Sequence, residues 1–167
     1  DSKLPVRVTG FTHATSMSTG DTHTIALKND GTVWAGGHNY DGQLCVGTCT
    51  DNHRALHSFP TRRSSDLAGG SEHTVALKSD GTVWAWGVNY NGQLGDGTIV
   101  NSNVPVQVTD PLDITAIAAR ANNKIALKND GTIWVWGWNY HGQLGDGTTT
   151  DRTTPLQVTG LTDANAI

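Results

Sequence analysis

Apolar and polar residues alternate over short stretches of this chain, and each stretch ends at a turn sequence. Val75 and Leu77 alternate with smaller or more polar neighbours, and alternation with a period of two is typical of a β-strand. The Asp-Gly pair that follows favours a hairpin, because glycine adopts positive φ without a Cβ clash. Residues 82–86 then return with apolar side chains on both faces, which is typical of a strand buried on both sides.

Two further strands are predicted in each unit, at residues 104–108 and 114–119 of the middle one. Pro105 suits a strand start or a sheet edge, because proline has no amide hydrogen to donate. The first of these strands recurs at residues 155–158, and a similar sequence stands at residues 5–8. No stretch has helical periodicity, which excludes helical repeat arrays. Four short strands with glycine-rich turns indicate the blade of a β-propeller.

The same pattern occurs three times along the chain. The copies align without gaps over residues 23–44, 73–98 and 124–148. Their turn glycines follow one another at intervals of 50 residues, at Gly31, Gly81 and Gly131. A single repeat cannot bury both of its apolar faces alone, so we expect neighbouring repeats to stack.

The repeated sequence resembles the repeat of the regulator of chromosome condensation family. The resemblance rests on the pattern A-L-K-x-D-G-T-V-W-x-W-G-x-N-x-x-G-Q-L-G-D-G-T and extends from residue 5 to about residue 167. It implies a seven-bladed propeller, of which this chain supplies an all-β fragment: about three four-stranded antiparallel blades in an open arc. Kelch repeats share the period but lack G-Q-L-G-D-G-T, and WD-type repeats are shorter.

We expect a single partial propeller over residues 1–167, with repeats at approximately 13–62, 63–112 and 113–162. The chain begins with Asp1 and its only methionine is Met17, so we expect a fragment or a chain that has lost a leader. The pattern A-L-K-x-D-G-T-V-W-A-W-G is similar to that of bacterial members of the family, many of them surface or secreted proteins. The resemblance therefore favours an extracellular or cell-surface location.

Residues 57–67 depart from the repeat. By the 50-residue register they should match residues 107–117, yet they are polar where parts of two strands are expected. The string resembles the translation of a common sequencing-adapter oligonucleotide, which we favour over a natural variable loop. Replacement of coding sequence of similar length and a coincidence of register both stay open. We expect this segment to be irregular or exposed, and the first blade to have fewer strands than the second.

Composition narrows the possible functions. The formal net charge is -4, whereas a nucleic-acid-binding surface is normally basic, so no nucleic-acid partner is expected. No apolar stretch is long enough to span a membrane. No Ser/His/Asp group, carboxylate pair or phosphate-binding glycine loop is evident, so the chain is not expected to be an enzyme.

Two patterns suggest metal binding, and neither is typical of it. Four candidate zinc ligands are spaced C-x3-C-x3-H-x3-H, at Cys45, Cys49, His53 and His57, but a zinc finger has a long gap between its Cys and His pairs. The G-D-G-T turns at Asp96 and Asp146 lack the alternate oxygen ligands and late Glu of a calcium loop. We expect structural turns in which Asp accepts from backbone N–H groups, and no metal or cofactor.

Recurrent tryptophans and histidines are assigned structural roles. Trp34, Trp84 and Trp134 share one register, and Trp86 and Trp136 share another that Gly36 interrupts. Packing between blades explains this recurrence better than a ligand-binding aromatic ladder. Two histidines precede the same strand in successive copies, His23 and His73, and a hydrogen bond at the strand start is expected of them.

Positions that differ between copies are the candidates for partner binding. A role shared by every blade is structural, whereas a partner touches the blades differently. One such register, directly after the buried strand, contains His38, Val88 and Trp138. Another contains Asp41, Asn91 and His141. Loops on a rigid frame often carry function, although tolerance of variation at a solvated surface explains the same differences.

We therefore expect a non-catalytic scaffold that binds a protein partner through its loops. Two alternatives follow from the resemblance. One is a guanine-nucleotide exchange factor for a small GTPase, the activity of the founding nuclear member. The other is an enzyme inhibitor, because one bacterial propeller resembling this family blocks β-lactamases. The sequence does not name the partner.

Overall fold

The computed structural model describes residues 12–44, 55–57, 64–110 and 113–167. These residues form β-strands joined by turns and loops and contain no helix. The strands are β1 (Ala14–Thr19), β2 (His23–Lys28), β3 (Val33–Gly37), β4 (Ala55–His57), β5 (Ser64–Gly69), β6 (His73–Lys78), β7 (Val83–Gly87), β8 (Ser102–Gln107), β9 (Ile114–Arg120), β10 (Asn123–Lys128), β11 (Ile133–Gly137) and β12 (Arg152–Gln157).

The strands form three antiparallel sheets of four strands each, and strands that follow one another along the chain are neighbours. The sheets comprise β1–β4, β5–β8 and β9–β12. Strands β1 and β2 contact β5, and β5 and β6 contact β9, so the sheets stack in chain order. The predicted all-β propeller fragment with three four-stranded blades is confirmed.

The Asp-Gly turns form the hairpins that the sequence predicts. Between β6 and β7, Gly81 has φ of 79°, and Asp80 accepts hydrogen bonds from the N–H and the hydroxyl of Thr82 at 3.1 and 2.6 Å. The Thr82 hydroxyl, followed by Lys78 and the Thr82 N–H, lowers the pKa of Asp80 to about 2. The hairpins of the other two sheets repeat these bonds between Asp30 and Thr32 and between Asp130 and Thr132.

The two tryptophan registers have different roles. Trp86 and Trp136 are fully buried and extend from one sheet to the preceding one. Their indole N–H groups donate to the carbonyls of Gln43 and Gln93 at 3.0 and 3.1 Å. The other register bonds within its own hairpin, and the indoles there donate to threonine hydroxyls, at Thr32, Thr82 and Thr132. Of the two tryptophan registers, the one that contains Trp86 therefore bonds across the junction between neighbouring sheets.

The expectation that the first sheet has fewer strands is wrong. Strand β4 pairs with β3, and β5 pairs with β6, although residues 58–63 lie outside the described residues. Leu67 pairs with Ala76 as Ile117 pairs with Ala126, and Leu67 is buried. Ladder hydrogen bonds join backbone groups, so a largely polar sequence with two apolar residues in the right register, Leu67 and Ala68, forms this strand. The strand suggested at residues 5–8 also lies outside the described residues.

One glycine in each of the first two repeats touches the backbone of the following sheet. A Cβ at Gly92 would lie 2.6 Å from the Cα of Thr153, and a Cβ at Gly42 would lie 2.7 Å from the Cα of Asn103. Gly142 occupies the same register in the third sheet, where the nearest atom to its Cβ would be Thr148 O at 3.6 Å. All three have positive φ, so a side chain is strained at each, but only two are also closely packed.

Replacing these glycines separates the two effects. Gly92→Ala and Gly142→Ala both incur the cost of a left-handed conformation, on the order of 1–2 kcal/mol. Gly92→Ala also pushes the second and third sheets apart, which adds about 1–3 kcal/mol. Urea unfolding of the two variants measures the difference, and equal destabilisation would show that the junction tolerates the methyl group.

A second pair of variants tests the indole bond across the junction. Trp136→Phe leaves the Gln93 carbonyl without this donor in a buried site, and we expect a loss of about 1–3 kcal/mol in the free energy of unfolding. Trp134→Phe removes a bond to a threonine hydroxyl in a partly exposed hairpin, so a smaller loss is expected. Chemical denaturation monitored by circular dichroism compares the two, and a larger loss for Trp134→Phe would contradict the assignment.

Candidate functional site

All six candidate binding residues lie in the loops that join the third and fourth strands of each sheet. These 3–4 loops are residues 88–101 and 138–151 in the second and third sheets, and residues 38–44 are the described part of the first. The loops emerge from the same end of adjacent sheets, because the sheets repeat one topology. All six candidates therefore lie at one end of the three sheets.

A buried asparagine holds each loop together. Asn89 is fully buried, and its side-chain oxygen accepts from the Leu94 N–H at 2.8 Å. Its amide nitrogen lies 3.1–3.2 Å from oxygens of Asp96, Thr98 and Val100. Asn139 makes the corresponding bonds in the third sheet. A residue present in every copy thus closes the loop around its own amide, which fits a structural role.

The same bonds account for the acidic G-D-G-T turns. Asp96 accepts from the backbone N–H of Thr98 at 2.9 Å, and Asp146 accepts from that of Thr148 at 2.9 Å, as predicted. The loop oxygens surround an asparagine amide. Within the described part of the chain, no group of three His, Cys, Asp or Glu residues is placed to hold a metal ion. Cys45, Cys49 and His53 lie outside it, and so does the side chain of His57.

The third loop has an additional ion pair. The Nε and Nη2 atoms of Arg152 lie 2.7 and 2.6 Å from Asp146 Oδ2. Burial alone raises the pKa of Asp146, but Arg152 and the Thr148 N–H outweigh it and hold that pKa well below its ordinary value. Charge-assisted bonds of this kind are among the stronger ones. The second sheet has Ser102 at this register, so the third loop is the more firmly fixed of the two.

The register of Asp41, Asn91 and His141 serves the junctions between sheets. Asn101 donates from its side chain to Asp41 at 3.4 Å, and Asn91 donates to Asp151 at 2.8 Å. Each junction therefore contains one Asp and one Asn, in opposite order. His141 is exposed, and its ring contacts those of Trp138 and Tyr140 edge-on at 5.3 and 5.0 Å. Asp41 and Asn91 therefore differ because each pairs with a different residue of the next sheet.

The register of His38, Val88 and Trp138 is partly buried. His38 lies 3.3 Å from the side-chain nitrogen of Gln43 through its Nδ1. Val88 is buried, so it is left out of the binding surface proposed below. Trp138 is half-buried, and its ring is nearly parallel to that of Tyr140, with centroids 6.5 Å apart. Trp138 and His141 are thus the two candidates that structure brings together.

Comparison of the copies missed the most exposed aromatic residues of the loops. Tyr40, Tyr90 and Tyr140 are 70, 68 and 69% exposed. They are identical in all three copies, and identity between copies predicts a structural role rather than partner binding. Each tyrosine lies between an asparagine and a turn glycine, where no core position is expected. This placement was the sequence signal that predicts their exposure. Identity between copies thus does not imply burial.

Within the described residues, no helix is long and apolar enough to cross a bilayer.

A comparison with curated protein sequences finds no match. Solved structures do match. Prp20p from Saccharomyces cerevisiae, which binds Gsp1p and histones, shares 19% identity with a TM-score of 0.78, over 89% of this chain and 39% of its own.

Two further structures give the same result. Yeast RCC1 (Prp20) in complex with Kap60 is 20% identical with a TM-score of 0.80, over 93% of this chain and 39% of that one. Human WBSCR16 is 22% identical with a TM-score of 0.80, over 95% of this chain and 42% of its own. The chain spans about two fifths of the length of these structures. At this identity the likeness shows a shared fold.

Family models match the repeats directly. One model, described as Regulator of chromosome condensation (RCC1) repeat, matches residues 30–77, 80–124 and 130–167. A second model with the same description matches residues 14–43, 65–93 and 114–143. The matched segments cover most of the chain and include the hairpins, the buried asparagines and the junction tryptophans described above. The chain therefore belongs to the regulator of chromosome condensation repeat family.

Proposed function

We propose that this chain is a non-catalytic scaffold that binds a protein partner through the exposed aromatic residues of its 3–4 loops. The observation that carries the proposal is the exposure of Tyr40, Tyr90 and Tyr140, each at 68–70%, at one register of successive sheets. The proposed surface consists of these tyrosines together with His38, Trp138 and His141.

Aromatic side chains on a rigid loop are well suited to binding. Tyrosine and tryptophan offer a large contact area at a low cost in side-chain entropy, and they are enriched among residues that dominate binding energy. The third loop is the strongest candidate centre, because Trp138, Tyr140 and His141 contact one another there. The buried Asn139 and the Arg152–Asp146 pair fix the backbone beneath them.

Similar structures support a protein as the partner. Prp20p binds Gsp1p and histones, and yeast RCC1 (Prp20) binds Kap60. The net charge of -4 also favours a protein over a nucleic acid. An enzyme inhibitor would be a special case of the proposed function, whereas a guanine-nucleotide exchange factor is a competing alternative that also acts on a bound protein.

Loss of the third-loop aromatics is expected to abolish most of the affinity. Wild type, Trp138→Ala/Tyr140→Ala and Asn129→Ala are compared by affinity capture with quantitative mass spectrometry. The Kd of the best-captured protein is then measured by calorimetry. We expect the double variant to raise Kd at least about 30-fold, because central aromatic residues contribute about 2 kcal/mol or more.

Asn129→Ala is the matched control. Asn129 is exposed in the turn between β10 and β11, at the opposite end of the same sheet, so Kd should be unchanged. An unaltered Kd for every captured protein in the double variant would exclude the third loop as the binding surface. Turnover of a substrate by the purified wild-type chain would overturn the scaffold proposal itself.

A further inference from the structure

The two junctions between sheets differ at one buried position. Thr74 of β6 lies in the junction of the first and second sheets, and Lys124 of β10 has the same register in the junction of the second and third. Both residues are buried, with 0% and 2% exposure. A hydroxyl at one junction is thus replaced by an amine at the other, while the tryptophan bond is kept in both.

At the first junction the polar groups form a continuous chain. The Thr74 hydroxyl donates to the Gln43 carbonyl at 3.2 Å and lies 3.1 Å from Nε2 of His23. A hydroxyl has one hydrogen to donate, so Thr74 accepts from His23, and Nε2 of His23 carries a hydrogen. Burial lowers the pKa of His23 to about 4, against the opposing effect of Asp21.

At the second junction the corresponding series of hydrogen bonds is interrupted. His73 occupies the register of His23 and is fully buried beside Lys124. Within the described part of the protein, neither ring nitrogen of His73 has a protein hydrogen-bond partner, and neither does Nζ of Lys124. An amine cannot replace Thr74 here without bringing a protonatable group into the junction.

Among the described residues, no carboxylate offsets protonation of this pair. Burial lowers the pKa of Lys124 well below its ordinary value. Burial, then the positive charge of Lys124, then that of His23 lower the pKa of His73. His23 acts on His73 from β2, and Asp21 acts on His23. No carboxylate of the described residues is among the groups that shift either Lys124 or His73.

We propose that Lys124 and His73 make the junction between the second and third sheets a pH-sensitive joint, which opens when they are protonated and separates the third 3–4 loop from the other two. The proposal is independent of what the loops bind.

The direction follows from proton linkage. The closed junction binds fewer protons than the open one, so closure is favoured as pH rises. For Lys124 the gain extends from its lowered pKa in the closed state up to the ordinary 10.5 of the open state. For His73 it lies below the ordinary 6.5. His23 gives the first junction a response only in the acid range, so a response above neutral pH is specific to the second junction.

Two indole protons report on the two junctions separately. Hydrogen exchange of the Trp136 indole N–H, followed by NMR, reports on the second junction, and exchange of the Trp86 indole N–H reports on the first. After correction for intrinsic exchange, protection of Trp136 should rise between about pH 7 and about pH 9, by at most about tenfold per pH unit for one linked proton. Protection of Trp86 should stay constant over that range.

Three variants identify the cause. Lys124→Met keeps the length of the side chain without its charge and should abolish the rise at Trp136. Lys124→Thr should also abolish it and, by restoring the bonds seen at Thr74, give higher protection at neutral pH. Thr74→Lys should transfer the rise to Trp86. If Thr74→Lys does not fold, the two Lys124 variants decide.

Two results would overturn the proposal. One is protection of Trp136 that is constant with pH in the wild-type chain. The other is a rise at Trp136 that persists in Lys124→Met, which would assign the response to a group other than Lys124.

Discussion

Contact between the 3–4 loop of one sheet and the edge of the next is the constraint on which the rest of this structure depends. The buried indole of Trp136 donates to a loop carbonyl of the second sheet, and Gly92 brings the loop backbone against β12. The loop that makes both contacts is held in shape by the hydrogen bonds of its buried asparagine, Asn89. The turn glycine, the buried asparagine and the glutamine carbonyl therefore serve one purpose. Together they give a rigid loop against which the next sheet packs.

The sequence predicts the parts of the fold that depend on local pattern. Alternating residues around an Asp-Gly pair define β6 and β7, and the 50-residue spacing of Gly31, Gly81 and Gly131 implies one such unit per repeat. Strand β5 was not predicted, because Leu67 and Ala68 are its only apolar core residues and the polar residues before them conceal the strand. Backbone pairing depends on neighbours that a single sequence does not show.

The candidate site was harder to predict, because exposure depends on the adjacent sheet. Val88 looks like a variable loop residue and is buried, whereas Tyr90, two positions later, looks structural and is 68% exposed. Asp41 and Asn91 vary because each faces a different residue in the following sheet. Differences between copies therefore mix two causes, contact with a neighbouring sheet and contact with solvent, and only coordinates separate them.

The reversed Asp and Asn pairs bear on how nearly identical repeats find their correct neighbours. Repeat proteins are prone to misassembly, since a sheet can dock on the wrong copy. If the loop of the first sheet docked against the third sheet, Asp41 would face Asp151, and two carboxylates would meet without a donor between them. The native order pairs each carboxylate with an amide. These pairs therefore favour the native order of the sheets over an arrangement that skips a repeat and brings two carboxylates together.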